Sequence, residues 1–256
     1  MHVREFHPDA DESVLYLHGG NVAGWMWDAQ VAALPGFHAL VPDLPGFGAS
    51  KVEGWTDPAG VADQLAEVIR TRAHGGRAHV VGLSLGAVLG VVLASRHPAL
   101  VRSLLTSGAV LRGVRGFARF SGLAQLRLWG VEGYWRGLAA AYRMPADSVE
   151  IFVRTGLGID RASARRMMGD VLGGVDPAVL EGLRALEAPV LAVAGQLESR
   201  MVRDALAEVA VRAPHTVTRL APRMHHVWSA EDPELFHLML RDWLDHGRPN
   251  SALLPA

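Results

Sequence analysis

The sequence predicts an α/β fold: a mostly parallel central sheet with helices on both faces and a helical cap inserted into it. Three observations predict this. Short apolar, β-branched runs alternate with stretches of helical periodicity through most of the chain. The runs end at Gly, Pro and Asp clusters suited to short connections. Between about residues 111 and 185 the alternation stops, and no clear β run occurs.

The first run, Val14-Leu15-Tyr16-Leu17, ends at His18-Gly19-Gly20. A second, Ala39-Leu40-Val41, is stopped by Pro42 and the turn-rich Asp43-Leu44-Pro45-Gly46-Phe47-Gly48. Residues 57–73 read as a helix, because Val61, Leu65, Val68 and Ile69 recur at helical spacing, Asp57 stands at the cap and Pro58 in the first turn. Strand His79-Val80-Val81, a helix over 85–95 and strand Ser103-Leu104-Leu105-Thr106 follow. Past Pro189 come a strand over 190–194, a helix over about 202–211, a strand over 216–220 and a last helix from Asp232-Pro233 to Gly247. The tail, 248–256, reads as frayed coil. Residues 1–110 and 186–256 thus form the core domain. Residues 111–185, rich in arginine and aromatic rings, form the helical cap.

Half of the residues are hydrophobic and 20% charged, enough to bury a core within one domain of 256 residues. Lys plus Arg (25) nearly balances Asp plus Glu (26), so nothing points to nucleic acid or an anionic membrane as partner. The chain has no cysteine, which excludes disulfides, thiolate zinc sites and a cysteine nucleophile. The charged first residues lack the apolar core of an export signal, so the expected compartment is the cytoplasm. Residues 78–95 contain no Asp, Glu, Lys or Arg over a length that invites comparison with a membrane span. Gly82, Ser84, Gly86 and Gly90 divide them instead into a strand and a buried helix.

The chemistry centres on Gly82-Leu83-Ser84-Leu85-Gly86, which follows a strand and opens a helix. Such a turn is tight enough to exclude flanking side chains, and it pushes the serine into an exposed, strained position as a nucleophile. The free N–H groups of the helix start, Leu85 N–H first, suit a negative oxygen. His18-Gly19-Gly20-Asn21 can turn a second N–H, from Gly20, toward the same oxygen. His18 itself reads as a brace of its loop, and His2, His7, His38, His74 and His237 as surface residues. No His-Glu-x-x-His and no phosphate-binding Gly-Lys-Ser/Thr occurs, and Lys51 is the only lysine. The expectation is therefore no metal and no cofactor.

Together these segments resemble the α/β-hydrolase superfamily, in particular its small capped serine esterases. His18-Gly19-Gly20 with Trp25-Met26-Trp27 is similar to the family's oxyanion loop and its trailing tryptophan. Asp43-Leu44-Pro45-Gly46-Phe47-Gly48-Ala49-Ser50 is similar to its Asp-x-x-Gly-x-Gly-x-Ser turn, where Asp43 would brace the turn. Arg96-His97-Pro98-Ala99-Leu100-Val101-Arg102 resembles the segment that leads into the next strand. The resemblance implies an acid after the strand that follows the cap, where the family usually has Gly-x-x-Asp and this chain has Gly195-Gln196-Leu197-Glu198. It implies a histidine in His-x-x-x-x-Glu-x-Pro, met in register by His226 with Glu231 and Pro233. Two departures stand out: Glu198 replaces aspartate, leaving Asp204 as a second choice, and His225 replaces the usual glycine, leaving a competing base.

The implied activity is cofactor-free hydrolysis of a small to medium apolar ester, with lactone or thioester left open, through Ser84, His226 and Glu198. Gly20 and Leu85 N–H groups would hold the oxyanion. A lyase of the same fold, or a ligand-binding receptor that keeps the fold, are the alternatives. Cap aromatic residues are expected to line the pocket, with Trp129, Trp135 and Phe120 first and Tyr134 and Met144 behind them.

Overall fold

The computed structural model describes residues 1–256, the side chain of Ala118 excepted. Eight strands form one sheet: β1 (Val3–Phe6), β2 (Ser13–Leu17), β3 (His38–Pro42), β4 (Ala78–Leu83), β5 (Val101–Ser107), β6 (Val190–Gly195), β7 (Thr216–Ala221) and β8 (Leu254–Pro255), in the order β1-β3-β2-β4-β5-β6-β7-β8. The six inner strands pair in parallel, while β1 and β8 close the two edges antiparallel.

Helices cover both faces, which is why β2, β3, β4 and β6 are buried along their whole length. Helix α1 (Asp28–Ala33) lies on one face together with the last helix, and α2 (Pro58–Arg72) and α3 (Leu85–Arg96) lie on the other. Successive side chains of a strand point to opposite faces. In β2, Val14 and Tyr16 join the layer of Trp27 and Phe236, whereas Leu15 and Leu17 join that of Leu65 and Leu89. Asp57 caps α2 as expected, its Oδ1 accepting from Gly60 N–H at 2.8 Å. Helix α3 has only 12 residues, and no helix among the described residues is long and apolar enough to cross a membrane.

Between β5 and β6 the described residues form helices and no strand: α4 (Gly116–Ala124), α5 (Glu132–Ala141), α6 (Val149–Gly158), α7 (Arg161–Gly173) and α8 (Pro177–Glu181). Residues 177–185 lie at the end of the segment expected to form the cap. They pack on α3, where a Cβ at Gly182 would meet the Ser95 carbonyl oxygen at 2.5 Å, so they belong to the layer covering the sheet. Helices α9 (Arg200–Arg212), α10 (Trp228–Glu231) and α11 (Pro233–His246) complete the chain.

Two edge features differ from the expectation. Val3-Arg-Glu-Phe6 carries two charges and offers no apolar run, yet it pairs with β3 as an edge strand, where charge is tolerated. The tail is not frayed. Asn250 donates to Asp242 and accepts from Ala252 N–H, a local turn that buries Leu253 and delivers Leu254 to β7. His38 also leaves its expected place: it is fully buried, with Nδ1 against Ser13 Oγ at 2.9 Å and Nε2 against Glu5 at 2.8 Å. Both ring nitrogens have partners, which is what makes its burial tolerable.

Candidate active site

Because the inner strands are parallel, the loops after β2, β4, β6 and β7 open at one edge of the sheet, the usual place for a site in such folds. Ser84 lies between β4 and α3 with φ 56° and ψ −113°, a left-handed value costly for a side-chain-bearing residue. Its N–H donates to the Ser107 carbonyl at 2.8 Å, and its carbonyl accepts from Val88 N–H. The flanking glycines are required by space: a Cβ at Gly82 would lie 2.4 Å from the Gly86 carbonyl oxygen, and one at Gly86 2.0 Å from that of Leu17. Leu85 is the first residue of α3, so its N–H has no partner within the helix.

The loop after β2 is held by His18, which is fully buried. Its Nδ1–H donates to the Gly19 carbonyl at 2.7 Å, and its Nε2 accepts from Leu44 N–H at 2.9 Å. That pair of bonds requires the neutral ring, and burial depresses its pKa to about 4. Asp43 braces its own turn, accepting from Ala49 N–H and Gly24 N–H, both at 2.8 Å. A Cβ at Gly19 would be 3.6 Å from Ser84 Cβ, so this loop lies directly against the serine.

Glu198, in the loop after β6, is only 8% exposed. One carboxylate oxygen accepts from Gly195 N–H at 2.7 Å, and the other faces His226 Nδ1 at 2.5 Å. The adjacent histidine goes elsewhere. His225 turns its backbone N–H and its Nδ1 to Glu231, each at 2.9 Å, and Glu231 also meets Arg143. Burial alone would raise the Glu231 carboxyl, but the His225 N–H and ring hold it below its usual range. Two residues past His226, Trp228 Nε1–H donates to Ser107 Oγ at 2.9 Å and ties the histidine loop to β5. Asp204 is half exposed on α9 and pairs with Arg200.

Ser84, Leu85, Gly20 and His226 line one cavity of about 560 Å³. Its opposite wall comes from the helical segment: Tyr142 and Met144 after α5, Ile151 and Phe152 of α6, and Met167 and Met168 of α7. Asp28 and Asp147 are the charged members of its lining, and among the described residues no arginine or lysine joins them. No group of three or more His, Asp or Glu able to hold a metal occurs among the described residues.

The profile of the alpha/beta hydrolase family matches residues 14–237. The chain belongs to that family. It is similar to an alpha/beta hydrolase superfamily protein of Gibberella zeae, with 29% identity over 93% of this chain and 82% of the relative. It is also similar to an esterase of Mycobacterium tuberculosis, with 27% identity over 91% of this chain and 82% of the relative. Among solved structures, a thermophilic esterase from Thermogutta terrifontis superposes with a TM-score of 0.77 and 22% identity, over 95% of this chain and 92% of that one.

In this alpha/beta hydrolase the aromatic residues expected at the pocket lie mostly within or on the helical segment itself. Of the five cap residues named from sequence, Met144 reaches the cavity. Trp135 is fully buried in the helical segment's own core, against Trp129, Tyr134 and Phe152 at 5.3–5.7 Å between ring centroids, and its Nε1–H donates to the Trp129 carbonyl. Tyr134 donates its hydroxyl to Gln125, and Phe120 is 66% exposed beside Phe117 on α4. A short helical hairpin needs an interior, and the largest rings supply it. The residues missed are Tyr142, Phe152, Ile151, Met167 and Met168. The first two were visible as cap aromatics, but nothing in sequence told them from Trp135.

Gly108 was missed as well. It follows β5 with φ +68°, and a Cβ there would lie 2.8 Å from His226 Cε1, 2.9 Å from its Nδ1 and 3.3 Å from Glu198 Oε1. The bare backbone leaves room for the imidazole–carboxylate pair. The only signal was a glycine directly after a strand.

Proposed function

We propose that the chain hydrolyses a carboxylic ester-like bond of a neutral, largely apolar substrate through Ser84, His226 and Glu198. The observation that carries the reading is the His226–Glu198 bond in the cavity that Ser84 also lines. Glu198, buried and anchored by Gly195 N–H, holds the Nδ1–H tautomer and leaves Nε2 free as base. Ser84 Oγ attacks the acyl carbon as His226 takes its proton. The Gly20 and Leu85 N–H groups receive the oxyanion, each donor worth about 2.7–4 kcal/mol. The imidazolium then protonates the leaving alcohol, and water activated by the same base releases the acid. The residues between β5 and β6 act as the cap, and its apolar wall, with Asp147 exposed at the rim and Asp28 paired with Arg4, favours uncharged acyl groups over anionic ones. An esterase among the relatives supports the same reaction class.

The test is a series of p-nitrophenyl esters of increasing acyl length, with lactone, thioester and dicarboxylate monoester arms, alongside a fluorophosphonate label mapped by mass spectrometry. Neutral esters should turn over, and the label should sit on Ser84. Labelling elsewhere, or preference for the anionic monoester, refutes the assignment.

A further inference from the structure

A second depression, of about 520 Å³, opens on the helical segment between the turn at Gln125–Leu128, Trp129 and the first turns of α7. It shares no lining residue with the catalytic cavity. Leu123, Leu126, Trp129 and Ala164 make apolar walls, and Arg127, Arg161 and Arg165 supply three guanidinium groups.

The arginines are arranged against ordinary helix energetics. Arg161 and Arg165 are four residues apart on α7, where like charges repel. Arg161 is the helix's first residue, at the end where the dipole favours an anion. Its neighbour Asp160 turns its carboxylate onto Ser163 N–H at 2.7 Å as the helix cap. Among the described residues none of the three arginines has a carboxylate partner, so no acid competes for their guanidinium groups. The stretch 110–131 adds to the excess, with four arginines and no acid in a chain of net charge −1. The Arg161 guanidinium lies over the bare backbone of Gly130, where a Cβ would come within 1.9 Å of Nη2.

We infer that this groove binds a phosphate monoester bearing an aromatic or hydrocarbon group. Planar guanidinium forks match phosphate oxygens in paired hydrogen bonds, and a dianion balances more of the three charges than a carboxylate can. Trp129, Leu123 and Leu126 take the apolar substituent.

Isothermal titration of the full chain with phenyl phosphate tests this, with phenylacetate and inorganic phosphate as comparison arms. Phenyl phosphate should bind with one equivalent and more tightly than either comparison ligand. The double variant Arg161→Ala/Arg165→Ala should weaken it by about tenfold or more. Arg127→Gln, on the facing wall and off α7, should weaken it too. Arg115→Ala/Arg119→Ala, at the cap and in the first turn of α4 and outside the groove, should leave it unchanged. Ester turnover should be the same in all these variants and in the presence of phenyl phosphate. Absence of binding at about 1 mM ligand, equal loss in the α4 control, or inhibition competitive with ester would each overturn the inference.

Discussion

The two walls of the cavity that Ser84 lines present different kinds of groups. On the sheet side, each group in the candidate site is fixed by directed hydrogen bonds: Ser84 N–H to Ser107, Glu198 to Gly195 N–H, Trp228 to Ser107 Oγ. On the helical side, hydrogen bonds from Trp25 to Thr155 and from Trp55 to Ser163 and Asp170 anchor α6 and α7, but the side chains that line the cavity, Ile151, Phe152, Met167 and Met168, are apolar and meet it by contact alone. A hydrogen bond loses its value within a few tenths of an ångström and a few tens of degrees, while an apolar contact tolerates exchange for another of similar volume. Under the proposed function, the difference assigns rate and selectivity to separate elements. Changes on the sheet side should slow every substrate alike, and changes on the helical side should reorder them.

The sharpest break in that comparison is Ser84→Ala. It should abolish turnover of every ester by at least about 10⁴-fold while circular dichroism and melting temperature stay at wild type. Hydrolysis surviving in rigorously purified Ser84→Ala protein would remove the serine from the mechanism.

Next in size is the acid. Glu198→Gln keeps the shape but removes the charge that fixes the imidazole, and should cost up to about 10⁴-fold in kcat. Asp204→Asn, on exposed α9, should be near wild type, and His225→Ala should retain far more activity than His226→Ala. Reversal of either pair relocates the acid or the base.

Gly108→Ala places a methyl group against the imidazole. We expect kcat to fall by about 10²-fold with KM little changed, because the displaced group acts on the reaction and not on binding. A matching rise in KM would mean that the loop as a whole had shifted.

Acid should loosen the sheet side through His18. Its folded pKa, about 4, lies below the ordinary 6.5, so the folded state holds the neutral ring. The stability this preserves is complete above about pH 6.5 and is lost as pH falls toward 4, to about 3 kcal/mol at most. Burial depresses His79 in the same direction. Melting temperature against pH should show this acid limb, and His18→Gln should flatten it. An unchanged limb in that variant would place the acid sensitivity elsewhere.

The smallest effects on turnover belong to the helical wall. Ile151→Ala and Met168→Ala should change the kcat/KM ratio between short and bulky esters by about tenfold or more. Trp135→Ala should instead cost about 3–5 kcal/mol of stability and leave the ratio alone. Phe120→Ala should stay within about 0.5 kcal/mol of wild type. Equal losses on all esters, tracking melting temperature in the Ile151 and Met168 variants, would erase the proposed division between the walls.

Local chemistry was legible in the linear sequence. The parallel core, the strand–turn–helix around Ser84, the cap on α2 and the brace at Asp43 each depend on residues close along the chain, and short-range sterics and hydrogen bonds dictate them. What only the tertiary structure decided involves partners far apart. The His226 ring meets Glu198 across 28 positions, and Gly108 makes room for both. His38 is buried because Ser13 and Glu5 arrive from neighbouring strands. Trp135 faces its own helices and Ile151 the cavity, although both are apolar residues on amphipathic helices. Periodicity states that a helix has an apolar face, but two apolar destinations were open to it, the helical segment's own interior and the cavity. Only the packing of α5 on α6, and of α7 on α4, assigns each side chain to one of them.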